Sequence, residues 1–242
     1  AKLLIDVCRS QSVAVFGNVT IAILLACIVS AAYAANTQQP LLDAHTVAYQ
    51  MKSVDIITQP TLWYAAIAGL WLFCSGIIAG FFDNRADYLD LRNRLTINPL
   101  LRKIMPAKAR HAFAAYMHRH YGSLTGNFIF GMLLGMTGFF GHLLDLPLDI
   151  RHVAFSSANL GYAVVSGNLG AKAFLLGLTG VLAIGAVNLM VSFTLALFVA
   201  LRSRGTKISS ISKLLNSVWT QIKANPLLLV YPVQAKDGQE NK

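Results

Sequence analysis

Charge is what this sequence lacks. Only 12% of the residues are Asp, Glu, Lys or Arg, where soluble domains carry about 25%. Four stretches hold none at all: 13–34, 61–82, 124–144 and 174–201. Each has at least about 20 residues, which at 1.5 Å per residue crosses the roughly 30 Å hydrocarbon layer of a bilayer. The deficit excludes an ordinary soluble domain and points to an all-α, polytopic transmembrane helical bundle with four spanning helices.

Cysteine is scarce too. There are three; Cys27 and Cys74 fall inside apolar stretches, and no CxxC or Cys/His spacing occurs, which argues against a disulfide framework or a metal centre. Catalytic signatures are missing: the chain has no GxSxG, HExxH, P-loop or GxGxxG pattern. His111, His118 and His120 gather in one basic segment without carboxylates at ligand spacing. No cofactor, no metal and no enzymatic reaction is implied. A start methionine is also absent, and the expectation is a C-terminal fragment of a longer chain that lacks its N-terminal region.

What is present is basic, with a formal net charge of +10. Its placement matters more than its size. Arg85, Arg92, Arg94, Arg102, Lys103, Lys108, Arg110 and Arg119 all lie between the second and third apolar stretches. Arg202, Arg204, Lys207, Lys213 and Lys223 follow the fourth, whereas only Lys52, Arg151 and Lys172 occupy the other connections. Cytoplasmic loops collect Lys and Arg, so both termini and the 83–123 segment are expected in the cytoplasm. The partners that fit are membrane lipids, including anionic lipid at the cytoplasmic face, and then a second copy of the chain or another membrane protein. The same placement argues against nucleic acid.

One membrane domain is expected over 1–230, followed by a disordered tail over 231–242. Pro99 and Pro106 divide the 83–123 segment into short helices, the last of them (107–121) interfacial. The tail 208–222 has the spacing of an amphipathic helix on the inner leaflet. Asp145, Pro147 and Asp149 read as the start of a helix running to about Ser166. If that helix crossed, the basic residues after span four would lie outside, so 147–166 is expected to be re-entrant or interfacial.

Three groups of polar residues stand out. Asp149, His152, Ser156 and Asn159 recur at helical spacing, flanked by Asp145 and Arg151, and form a candidate polar membrane site. The competing reading is helix capping and local hydrogen bonding. Asn18, Asn127 and Asn188 occur in three separate spans; with Gly131 and Gly135, a GxxxG pair, they serve helix packing or line a conduit. Asp83, Asn84, Arg85 and Asp87 mark the inner end of span two and offer a cytoplasmic docking point, against a plain solvated exit with local ion pairs.

Certain segments also carry a likeness. They are Phe81–Tyr88 (FFDNRADY), Gly126–Gly131 (GNFIFG), Leu146–Asn159 (LPLDIRHVAFSSAN) and Asn188–Phe193 (NLMVSF). The stretch of about 61–205 that holds them resembles the bacterial membrane-protein family named site-specific recombinase, of Gcr type. The resemblance implies a Gram-negative inner-membrane location, a large N-terminal region ahead of the membrane domain and, by its name, DNA recombination. The residues do not supply that chemistry. Tyr88, Tyr116 and Tyr121 lie with Arg92, Arg94, Arg102, Arg110 and His118 in a short segment at the membrane surface, too small to enclose a duplex around a preorganised phosphate site. The reading that remains is a module that handles a lipid or small solute, or that transmits or anchors. The alternatives are a purely structural anchor for an N-terminal domain and the recombination in the family name.

Overall fold

The computed structural model describes residues 2–203, together with 213, 216, 217, 219, 220, 223 and 224. Most of the expected amphipathic helix 208–222 and all of the tail 231–242 lie outside the described residues. Within them are eight helices and no strand: α1 (Lys2–Thr37), α2 (Ala44–Ser53), α3 (Thr61–Tyr88), α4 (Leu91–Ile97), α5 (Pro99–Ile104), α6 (Ala107–Leu143), α7 (Val153–Ser166) and α8 (Ala171–Ser203). Four of these are long and apolar enough to cross a membrane: α1 from Arg9, α3, α6 and α8. Large apolar side chains such as Phe16, Leu24, Ile28, Phe128 and Leu176 stay exposed along them, as lipid-facing positions do.

Two compact units make up the chain. The first contains residues 1–55, 153–185 and 197 onward; the second contains 56–152 and 186–196, so α8 contributes to both.

In the first unit α1 packs along α7 at small residues. Gly161 lies where a Cβ would come within 2.8 Å of both the Ile23 carbonyl oxygen and the Ala26 methyl. Ser30 Oγ and Ser166 Oγ are 3.0 Å apart, and the Leu42 amide donates to Ser166 Oγ at 3.2 Å. This junction ties α1, α7 and the connection before α2 together. Helix α2 lies in the connection between the first two spans. Its N-cap is Asp43, which accepts from the Thr46 amide at 2.8 Å, and the hydrogen bonds from Thr46 hold the Asp43 carboxyl below the usual carboxylate range. The first half of α8 presses Gly180 onto the Val54 carbonyl and Gly177 onto Leu160.

In the second unit α3 packs on α6. Gly126 meets Ala79 and Ser75, Gly122 meets Ala79 and Asp83, and Trp71 Nε1 donates to Thr137 Oγ1 at 2.9 Å. Gly69 brings α3 against Asn188 and Val191 of α8. Among the described residues a Cβ at Gly131 or Gly135 meets nothing within 4 Å. The glycines that α6 uses internally are Gly122, Gly126 and Gly141, each set against backbone or a short side chain of the same unit.

Two helix boundaries differ from the sequence reading. The interfacial helix 107–121 and the third span form one rod of 37 residues, about 55 Å long. Gly122-Ser123 between them offers no proline and no left-handed residue to end a helix. The helix expected from Leu146 begins instead at Val153 and has 14 residues, about 21 Å, less than the hydrocarbon thickness. The cause lies at the end of α6. Asp145 has φ 49°, its amide donates to His142 O at 3.4 Å and the Leu146 amide donates to Gly141 O at 2.9 Å. That is a Schellman motif. Asp145 therefore closes α6 rather than opening α7.

Candidate functional site

Residues 144–152 form an irregular segment in the second unit, folded back on the end of α6 so that the Leu148 carbonyl lies against Gly141. Asp149 accepts from its neighbour's amide, Ile150 N to Oδ1 at 2.7 Å. Its other oxygen pairs with Arg151 Nη2, also at 2.7 Å. The Arg151 guanidinium carbon is 5.9 Å from the centre of the Tyr64 ring, a cation–π contact with the start of α3. The Arg151 side chain is only 14% exposed.

The backbone of this segment is held from α8. Asn188 Nδ2 donates to Ala65 O at 2.7 Å and to Arg151 O at 3.1 Å. The Asn188 residue is 1% exposed, and its amide joins α3, α8 and the segment at one point. His152 sets its ring edge-to-face on Phe130, with centroids 5.1 Å apart. Burial pushes the His152 imidazole down to about 4, because a charged ring would lose its hydration there.

The structure thus brings Asp149, Arg151, His152 and Asn188 into one cluster and adds Tyr64 and Phe130. The expected single helical face is not formed. Asp149 and His152 precede α7, while Ser156, buried, and Asn159, half-buried, lie on α7 in the first unit. Asp145 is exposed. Asn18 and Asn127 are exposed as well.

A second charged cluster occupies the far end of α3. Asp83, Asp87, Arg92, Ala115, His118 and Arg119 line a cleft of about 320 Å³. Asp83 Oδ1 accepts from the Gly122 amide at 2.9 Å; His118 Nε2 is 3.3 Å from Asp87 Oδ1. His118 Nδ1 is shielded from solvent and has no hydrogen-bond partner. Asn84 and Arg85 are exposed on the last turns of α3 and do not line the cleft. Sequence reasoning named Asp83 and Asp87 but missed Arg92, His118 and Arg119 as their companions. The signal was there in principle: on one helix, 115, 118 and 119 share a face.

The family model described as site-specific recombinase matches residues 1–232. The chain belongs to the site-specific recombinase family. No curated protein and no solved structure matches it. In this site-specific recombinase family member the two clusters lie at opposite ends of α3. Tyr64 and Asp83 are 19 positions apart on one helix, about 28 Å along its axis, and no charged residue lies between them. That length is close to the thickness of the hydrocarbon layer, and the cleft of Asp83 and Asp87 lies just beyond the uncharged stretch 61–82.

The pKa of His152 carries a prediction. Its folded value of about 4 lies below the ordinary 6.5 or so. Between these values the unfolded chain takes up the proton and the folded chain does not. Stability is therefore full above pH ~6.5 and falls as the pH drops toward ~4, by up to about 3 kcal/mol. Thermal melting in nanodiscs across this range should show the loss, and His152→Gln should flatten it. An unchanged slope in that variant would assign the acid lability to another group.

Proposed function

We propose that this chain is a non-enzymatic membrane module of the bacterial inner membrane that anchors and scaffolds, with its 83–123 segment and both termini in the cytoplasm. The segment 145–152 is then a structural lock at the outer face, not a polar lane for a solute. The observation that carries this reading is that Asp149, Arg151 and Asn188 are engaged with one another and with backbone carbonyls. Asp149 and Arg151 pair at 2.7 Å, both donors of the Asn188 amide meet backbone carbonyls, and His152 is wedged against Phe130. A pathway needs groups free to exchange partners with the passing solute; these are fixed. The excess of Lys and Arg at the 83–123 end supports the orientation.

A charge-pair cycle tests the lock. Arg151→Ala removes the cationic partner of the half-buried Asp149 carboxylate, and Asp149→Ala removes the anionic partner of the guanidinium. Removing both leaves no uncompensated charge, so the double variant should be more stable than Arg151→Ala alone. Because the Asp149 side chain is 35% exposed, solvent screens part of the effect, and Arg151→Ala should lose about 2 kcal/mol. In cells the double variant should keep any phenotype the chain supports. A double variant that folds normally but is inactive would identify a working site and overturn the scaffold reading. Impermeant thiol labelling in a cysteine-free background tests the orientation: Thr58→Cys should react in intact cells and Thr96→Cys should not. Strand cleavage of duplex DNA by the purified chain would restore the chemistry in the family name.

A further inference from the structure

The cleft at the cytoplasmic end of α3 is not explained by anchoring. It differs from the outer cluster in a physical respect. There, charges are consumed in pairs; here, two carboxylates and two guanidiniums line one space, and among the described residues neither Arg92 nor Arg119 makes an ion pair. Among the described residues Asp87 pairs only with His118, at 3.3 Å. Asp83 keeps lone pairs beyond the one the Gly122 amide uses, and the Nδ1 of His118 is buried without a partner.

We propose that this cleft binds the headgroup of a phosphoethanolamine lipid, its ammonium between Asp83 and Asp87 and its phosphate on Arg92 and Arg119. The balance of charge selects the class. A purely anionic headgroup would meet both carboxylates, and a cation alone would meet both guanidiniums. A dipolar headgroup satisfies the two signs together. The ammonium must carry N–H groups, because the carboxylates accept hydrogen bonds; a trimethylated headgroup has none to give. The volume of about 320 Å³ is at the small end of ligand sites and fits a headgroup rather than a whole lipid. Depth agrees, since the cleft begins at Asp83, the first charged residue after the uncharged stretch 61–82. Aromatic side chains gather at the same level: Phe82 and Tyr121 meet edge-to-face at 5.4 Å, and Tyr88 and Tyr116 stand exposed, as an interfacial belt requires.

The test is lipid retention. The full chain, purified and then reconstituted in nanodiscs with equal parts of ethanolamine, choline and glycerol phospholipids, is extracted with mild detergent and weighed by native mass spectrometry. The ethanolamine lipid should be retained over the choline lipid by about tenfold. Asp87→Asn should reduce that preference to within about twofold, and Arg92→Gln with Arg119→Gln should reduce retention of both. All three substitutions are at exposed or half-exposed positions, and melting temperatures near that of the parent chain would show that folding is intact. Equal retention of ethanolamine and choline lipids would overturn the proposal, as would preferential retention of the glycerol lipid. Free O-phosphoethanolamine separates the two sources of this chemistry. Displacement of the bound lipid by it assigns recognition to the headgroup alone, and resistance to it makes the intact lipid the occupant. The outcome is independent of the outer lock, which the charge-pair cycle tests with other residues.

Discussion

Gly122→Ala and Gly180→Ala should each destabilise the chain by about 2 kcal/mol or more, whereas Gly131→Ala and Gly135→Ala should leave it unchanged or raise its stability. Helical propensity alone predicts the same sign at all four, a gain of up to about 1 kcal/mol for alanine over glycine in a helix interior. Space decides otherwise. A Cβ at Gly180 would press into the Val54 carbonyl, and one at Gly122 into the Ala79 carbonyl and the Asp83 carboxylate. Backbone atoms of a packed helix cannot turn aside as the end of a side chain can, and overpacking of this kind costs about 1–3 kcal/mol and sometimes more. At Gly122 the methyl would also push away the carboxylate that accepts from the same residue's amide. At Gly131 and Gly135 nothing lies within 4 Å, so only propensity acts. Unfolding in mixed micelles, with the four variants side by side, reads the contrast. A uniform response across the four would mean that neither α3 and α6 nor α8 and Val54 approach as closely as described.

This contrast also shows which part of the fold could be read from the residues. The four long helices were legible because a bilayer imposes a rule on length and charge that composition cannot hide; Thr61–Tyr88 starts where the expected span does and runs past its end, and Ala171–Ser203 contains the expected span with a few residues added at each end. The packing face of α6 was not legible. Its sequence holds Gly122, Gly126, Gly131, Gly135, Gly138 and Gly141, and a GxxxG spacing fits both Gly122/Gly126 and Gly131/Gly135. Periodicity cannot say which pair meets a neighbour, because that depends on where Ser75, Ala79 and Asp83 of α3 come to lie.

The candidate site was legible in its members and not in its shape. Asp149, Arg151 and His152 were singled out together, but Asn188 was placed in a different group. The error came from Asp145. A carboxylate before a proline reads as a helix N-cap, yet the same short polar side chain also tolerates the left-handed backbone that ends a helix. With φ 49° Asp145 takes the second role, and the helix behind it loses its first turns. The residues 146–152 are then free to fold back, and their carbonyls need partners from elsewhere. Asn188, 36 positions beyond His152, supplies one. Local propensity has no means of announcing such a bond, since donor and acceptor are joined only by tertiary structure.

Asn188→Asp should be the most damaging single substitution in the second unit, with a loss of about 3–5 kcal/mol. The change keeps size and shape and alters only the sign of one hydrogen-bonding group. In the native chain one Nδ2 serves Ala65 O and Arg151 O at 2.7 and 3.1 Å. Replacing it by a carboxylate oxygen sets an acceptor against two carbonyl acceptors at a residue that is 1% exposed. Water cannot reach the site to relieve it, and an unpaired ion there meets the full desolvation penalty. Asn188→Ala removes the donors without adding charge and should cost less, about 1–2 kcal/mol, as hydrogen bonds inside membrane bundles do. The order, aspartate worse than alanine worse than parent, is what the argument requires. Released from Asn188, the Arg151 carbonyl would have lost this partner, and the Asp149–Arg151 pair with the Tyr64 contact would lose its fixed support. Asn188→Ala should therefore weaken the measured coupling between Asp149 and Arg151 in a double-mutant cycle. Equal stability of the aspartate and alanine variants would show that the Asn188 amide does not donate to these carbonyls, and the outer cluster would then be a set of neighbours rather than a lock.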